Sequence, residues 1–339
     1  MATELALVVR AAGVRAHLLT RPALDALAAA PDPGALARAL RAHGPDVDPI
    51  PDPPDAIAID RAAGATTARH LRTLARWDGS RPGALDVFAA DEDRRALRAL
   101  LRGATQGAPA GERLAGLVPT RTLPARALDA LARLPSPAAV AAELVLLGHP
   151  DAARLRPLVR EARPDLLVLD VALLAGFVAR AAAAVRRDPV LATFVASLVD
   201  AVNAANALLI AAGGGRASVD PAPLFAAGGR WLRREAFVAV AGASSIDAAA
   251  SAVRVALAGT PLGGLVPVGA ADPGDLHGRF LSLTAHRLTR EARRDPLGTA
   301  ALLGTLVRLA IQRRDLRTLA WGAALGVPPA LRRRALVTS

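Results

Sequence analysis

The feature that most constrains this chain is an internal repeat with a period too long for a solenoid. Residues Asp93-Arg-Arg-Ala-Leu-Arg-Ala-Leu-Leu-Arg-Gly103 align without gaps to Gln312-Arg-Arg-Asp-Leu-Arg-Thr-Leu-Ala-Trp-Gly322, with six of eleven positions identical. Between them, Thr193-Phe-Val-Ala-Ser-Leu-Val-Asp200 aligns with Thr305-Leu-Val-Arg-Leu-Ala-Ile-Gln312 and runs on through Val202, Asn203 and Asn206 to Leu208 and the glycines from Gly213. The anchors fall at 93, 200 and 312, so successive anchors are 107 and 112 residues apart. Solenoid repeats span about 20 to 50 residues, whereas this spacing suits a small helical domain. Three units follow, at residues 1–123, 124–233 and 234–339.

A second landmark keeps the same period. Leu123-Pro-Ala-Arg-Ala-Leu-Asp-Ala-Leu-Ala resembles Thr20-Arg-Pro-Ala-Leu-Asp-Ala-Leu-Ala, each with proline where a first helical turn tolerates it, and Arg233-Arg-Glu-Ala-Phe-Val-Ala-Val is a comparable start. Apolar residues recur at spacings of three and four, as in Leu297, Ala301, Leu302, Thr305, Leu306, Leu309 and Leu316, which gives a helix a face to bury. Alanine and leucine dominate and aromatics make up 3%, so the predicted fold class is all-α. Breaks are expected at residues 103–111, 213–223 and 259–274, and at the acidic, proline-rich stretch 44–55 (GPDVDPIPDPPD), which reads as a stiff solvated connector.

Chemistry-bearing patterns fail one by one. All 42 basic residues are arginine, so a P-loop, which needs a lysine to reach the β and γ phosphates, is excluded. Cysteine is absent, which removes disulfides, thiolate metal sites and a cysteine nucleophile. The histidines at 17, 43, 70, 149, 277 and 286 show no metal-ligand spacing and read as surface or loop residues. The aspartates 46, 48, 52 and 55 lack the glycine and terminal glutamate of a calcium loop. Gly242-Ala-Ser-Ser-Ile lacks the nucleophile-elbow spacing. Asp91-Glu92-Asp93, beside Arg94, Arg95 and Arg98, reads as an exposed, charge-rich helix start. No catalytic, cofactor-binding or metal residue is predicted.

Asp200, Asn203 and Asn206 form a narrow polar stripe on an apolar helix. Burial would force them to find hydrogen-bond partners, and an interhelix network is favoured over a partner-facing patch. Residues 166–185 and 189–215 are the most apolar tracts, but Asp170, Arg180 and Asp200 interrupt them, so buried helices are expected rather than membrane spans. The opening carries Glu4, Arg10 and Arg15 through its apolar stretch, unlike a signal peptide. A net charge of +12 favours an acidic partner, yet the arginines are scattered and tyrosine is missing, which argues against nucleic acid.

Taken together these landmarks resemble the family of C subunits of V/A-type ATPases, related to the eukaryotic d subunit. The family carries in each unit an acid, two spacers, an asparagine and then a Leu-Arg-x-Leu-Leu-Arg-Gly-like helix; its opening is similar to Val9-Arg-Ala-Ala-Gly-Val-Arg-Ala-His-Leu-Leu-Thr20, its ending to Gly326-Val-Pro-Pro-Ala-Leu-Arg-Arg-Arg-Ala-Leu336, and a Leu-Phe segment before paired glycines matches Leu224 to Gly229. The departures are Ala96 and Asp315 at the asparagine position, Gln312 at the acid, and the missing tyrosines. The resemblance implies three similar helical domains in a pseudo-threefold, funnel-shaped arrangement with a central cavity. It further implies a non-catalytic rotor component on the cytoplasmic face of the membrane, one copy per complex, between the D and F subunits of the central shaft and the ring of proteolipid subunits. No cofactor, small-molecule substrate or nucleic acid is implied. The alternative is a helical scaffold or regulator that binds nucleic acid or another acidic partner.

Overall fold

The computed structural model describes residues 2–42, 47–78, 83–161, 163–213, 220–268 and 274–338, with no side-chain description for residues 2–4. His43, residues 44–46 of the connector, Gly214 and Gly215, and part of the break at 259–274 lie outside the described residues. Those described form helices and no strand, in keeping with the all-α expectation.

The chain begins with α1 (Ala2–Ala16), α2 (Arg21–Leu27), α3 (Pro33–Ala42) and α4 (Ala56–Ala75), then the long α5 (Ala84–Gln106) and short α6 (Ala110–Leu114). Its middle holds α7 (Ala125–Arg133), α8 (Pro137–Leu146), α9 (Ala152–Leu155), α10 (Leu166–Val185) and α11 (Pro189–Ala212). The last stretch is α12 (Arg234–Ala241), α13 (Ile246–Leu257), α14 (Leu276–Arg294), α15 (Thr299–Ala324) and α16 (Pro329–Arg334). Local chemistry sets several starts. Asp55, Asp165 and Asp188 accept from the first free amides of α4, α10 and α11, and Ser136 and Ser245 do the same for α8 and α13.

Two sequence expectations shift. The break expected at Gly103 begins four residues later, because Gly107 (φ +68°) is the left-handed residue that stops α5 while Gly103 stays helical. The one-sided face expected of α15 becomes burial around most of its circumference, because α4, α14, α1 and α5 pack against it from different sides.

The two longest apolar tracts, α10 and α11, are long and apolar enough to cross a membrane by length and composition. Of the most apolar window of α11, 72% is buried against other helices, and residues of both helices belong to the largest core. The corresponding window of α10 is 39% buried, so α11 is a core helix and α10 lies partly at the surface of the core.

Three apolar clusters fill the interior, and they do not follow chain order. One joins the C-terminal half of α5 (Leu97, Leu100, Leu101) to α7, α8, α9 and α10. Another joins Leu316, Leu319 and Ala320 of α15 to α2, α3 and α4 at the opposite end of the chain. The largest includes α11 with α12, α13 and α14. In each, a long helix supplies an apolar face to helices that follow it in sequence, or, for α15, to those that begin the chain.

Leu100 is fully buried at the centre of the cluster that α5 shares with α7 to α10. Leu100→Ala is expected to cost about 2–5 kcal/mol, read as a shift in denaturant midpoint at constant slope.

Candidate functional site: three anchors and a charged centre

The repeat anchors all face inward and all fasten a loop. On α11, Asp200 is fully buried, and the amides of Arg230 and Trp231, just before α12, both donate to its Oδ2 at 2.8 Å. Gly229 passes so close to this carboxylate that an added Cβ would lie 1.9 Å from Oδ1, and Gly228 needs a φ of +112°; together they explain the paired glycines. One turn on, Asn203 both accepts from Ala226 N–H (3.0 Å) and donates to Ala226 C=O (2.9 Å). Asn206 is buried as well, so the stripe is internal, but Asp200 and Asn203 bond the loop before α12 rather than a neighbouring helix, and Asn206 Nδ2 meets no hydrogen-bond partner.

On α5, Asp93 is gripped by the hydroxyls of Thr120 and Thr122, again just before a first short helix, α7. On α15 the acid is replaced by Gln312, whose Oε1 accepts from Leu19 N–H at 2.6 Å, before α2. The last anchor therefore holds the chain just before α2, near its beginning. A second pair of contacts recurs on the same two anchor helices. Arg113 lies against Gly103 and donates to Leu134 C=O at 2.6 Å, at the end of α7; Arg332 lies against Gly322 and donates to Ala30 C=O at 2.7 Å, just beyond α2. A Cβ on either glycine would approach the arginine side chain to 2.7 Å.

Asp315 stands where unit two has Asn203 and does similar work. It accepts from the amides of Val337 (2.8 Å) and Thr338 (2.9 Å), fastening the chain 22 and 23 residues downstream, as Asn203 fastens Ala226 23 residues downstream. Ala96, at this position in unit one, has no polar group for that bond. Arg21 adds bonds to Thr338 C=O (2.9 Å) and Arg333 C=O (3.0 Å), which tie the two ends of the described chain together.

Between α4, α5, α6, α14 and α15 lies a charged cavity of about 480 Å³. Glu92 lines it, and with Asp91 and Asp93 corrects the reading of an exposed helix start: all three lie within α5 and are buried among arginines and threonine hydroxyls. Glu92 receives both outer nitrogens of Arg313 at 2.9 Å, a bidentate bridge from α15 to α5, and Arg313 also donates to Gly116 C=O at 3.0 Å. Arg95 bridges Glu92 and His277 Nε2 (2.7 Å). Arg98 reaches Asp170 on α10 at 2.8 Å. Asp60, fully buried, is met at 3.5 Å by the half-exposed Arg317 and at 3.5 Å by the indole N–H of Trp321.

Burial dominates the ionisation of these groups. It pushes Asp60, Asp93, Asp170, Asp200 and Asp315 up, and the arginines, hydroxyls and amides around them offset it in part. Burial also pushes Asp91 up, but there the guanidiniums of Arg94 and Arg95 outweigh it and hold the carboxyl below its ordinary range.

The histidines require a correction too, since His70 and His149 are buried. His149 packs beside Asp93 and Asp151, and its Nδ1 accepts from Asp151 N–H at 3.2 Å. Its pKa is lowered to about 4 by burial, against the pull of Asp151. No group of three or more histidine and carboxylate side chains poised for a metal occurs among the described residues.

The repeat makes Asp200, Asn203 and the anchor helices legible in the sequence. It misses the Glu92–Arg313 bridge and the Arg95–His277 contact, which join residues 221 and 182 apart. The only signal for them is the density of alternating charge around residue 93.

The chain matches the ATP synthase (C/AC39) subunit family over residues 7–334. It belongs to that family. It is also 31% identical over 276 residues, 80% of each chain, to the C subunits of the V-type ATP synthases from two strains of Thermus thermophilus. The chain is thus a non-catalytic component of the V/A-type ATP synthase class, belonging to a membrane-associated complex. The chemistry its units repeat is that of fastening, not turnover.

The central bridge and the buried histidine each set a measurable expectation. Glu92→Ala leaves Arg313 buried without its counter-charge and is expected to cost about 3–5 kcal/mol, while Glu92→Ala combined with Arg313→Met costs less than the sum of the two single changes; a double-mutant cycle in urea reads the coupling. His149, neutral in the fold, has a folded pKa below its unfolded value, so its contribution is complete above about pH 6.5 and is lost as pH falls toward about 4. The raised aspartates act with the opposite sign, so the test is a difference: between pH 6.5 and 4.5 wild type should lose more stability than His149→Gln, by about 2 kcal/mol.

Proposed function

We propose that this chain is the central-stalk coupling component of a V/A-type ATP synthase, seated on the cytoplasmic side of the membrane between the D and F subunits of the shaft and the proteolipid ring. In this reading one copy carries torque between shaft and ring without performing any chemical step. Residues 1–123, 124–233 and 234–339 act as three related units about a pseudo-threefold axis, forming a funnel whose cavity receives the shaft.

The observation that carries the reading is the cyclic fastening. Asp93 and Asp200 each hold the segment leading into the next unit, and Gln312 holds Leu19 in the first. A torque-bearing adapter has to resist opening at the seam between its first and last helices. Here that seam is closed by Gln312, Asp315, Arg21 and Arg332 rather than by apolar contact alone. The near-full-length family match supports the same assignment.

Reconstitution with shaft subunits and ring tests it. ATP hydrolysis coupled to proton transport is expected only when the chain is present; coupling that is unchanged without it, or a purified chain that binds duplex DNA and not the stalk subunits, would overturn the proposal. Within the same assay, Asp315→Ala is expected to weaken the seam, lowering stability by about 2–4 kcal/mol and coupling with it.

A further inference from the structure

We infer that the arginine-lined cleft between α1, α14 and α15 docks an acidic, amphipathic helical segment of a partner subunit; this rests on the assembly reading above and deepens it. The cleft encloses about 1050 Å³ at the seam where the first and last helices meet. Six arginines line it (Arg15, Arg21, Arg287, Arg290, Arg293 and Arg308), and no carboxylate does among the described residues.

Most of this charge is unmatched within the chain. Arg21 is committed to Asp25 and to main-chain carbonyls. Arg287, only 13% exposed, pairs through Nη1 with Glu291 at 3.2 Å, but its buried Nη2 has no hydrogen-bond partner. Arg308 donates to the Thr289 hydroxyl at 2.9 Å, not to an acid, and it feels the like charge of Arg15. Converging guanidiniums with no counter-charge are costly, and an external anion removes the cost.

The shape selects the kind of anion. Arg287, Arg290 and Arg293 recur every three residues along α14, giving a ladder about 9 Å long that winds about 120° around the helix. Carboxylates three or four apart on a second helix match that ladder, and guanidinium forks pair with them bidentately. Leu18, Leu283 and Ile311 give the cleft an apolar floor for the other side of such a helix. A nucleotide would need a nest of free amides and nucleic acid would use stacking aromatics; the cleft is lined by no phenylalanine, tyrosine or tryptophan among the described residues.

The test uses the full chain and a fluorescent helical peptide with glutamates along one face and leucines along the other. Its glutamine counterpart, duplex DNA and anionic-lipid vesicles serve as competing probes. Glutamate-peptide binding is expected to fall at least about tenfold in Arg290→Glu/Arg293→Glu and to fade as salt rises from about 50 to about 500 mM. The remote pair Arg154→Glu/Arg156→Glu, equal in net charge change, should leave binding within about twofold. If the charge-reversed cleft fails to fold by circular dichroism, Arg290→Gln/Arg293→Gln replaces it. Equal binding by cleft and remote variants, or tighter binding of DNA or vesicles than of the peptide, would overturn the inference. In reconstitution, a cleft variant that assembles like wild type also sinks the docking site while leaving the assembly reading intact. A wild type that fails to assemble sinks the assembly reading instead.

Discussion

Buried polar side chains that hold main-chain amides are what the rest of this structure depends on. Apolar packing is non-directional, and a chain this rich in alanine and leucine could slide its helices past one another at small cost. The Asp200 carboxylate, fixed by the amides of Arg230 and Trp231, and Asn203, paired twice with Ala226, set where α12 starts relative to α11. An amide left unsatisfied in such a site costs about 1–3 kcal/mol, so a displaced register is penalised sharply. The glycines beside these groups belong to the same device, since Gly229 leaves the room that the Asp200 carboxylate occupies.

The same device recurs on each of the three anchor helices. The third anchor has neither the acid of Asp93 and Asp200 nor the asparagine of unit two, yet Gln312 and Asp315 still fasten Leu19 and the Val337–Thr338 main chain. The chemistry shared among the units is acceptance of a buried hydrogen bond at a given helical position, and a carboxylate or an amide oxygen supplies it. The charged centre adds cross-links between helices. Glu92–Arg313 joins α5 to α15 and Arg98–Asp170 joins α5 to α10, with geometry that a shift of one helix would break. Pairs of this kind contribute specificity more than net stability.

Much of this is legible in the sequence. The helical class follows from composition and periodicity, and the long helices from the anchor repeat. The internal role of Asp200 and Asn203 follows from a polar stripe that burial would force to be satisfied. Asp91, Glu92 and Asp93 mislead because consecutive carboxylates usually mark a solvated helix end, and their burial is possible only because arginines and hydroxyls surround them: Arg94, Arg95 and Arg313 at the first two, Thr120 and Thr122 at the third. His149 misleads for a similar reason, since Asp151 is two residues away but Asp93 and Arg180 reach it from distant parts of the chain.

By itself the sequence determined the helices, their approximate starts, the repeat and the family, because each depends on residues close together in the chain or on their order along it. Only the tertiary structure decided which segment each anchor holds, that the last long helix shares a core with α2, α3 and α4, and that arginines far apart in sequence line one cleft that no carboxylate lines among the described residues. Those outcomes depend on contacts between residues separated by up to 317 positions, as Arg21 and Thr338 are. Helical periodicity fixes which way a side chain faces on its own helix, but not which neighbour meets it.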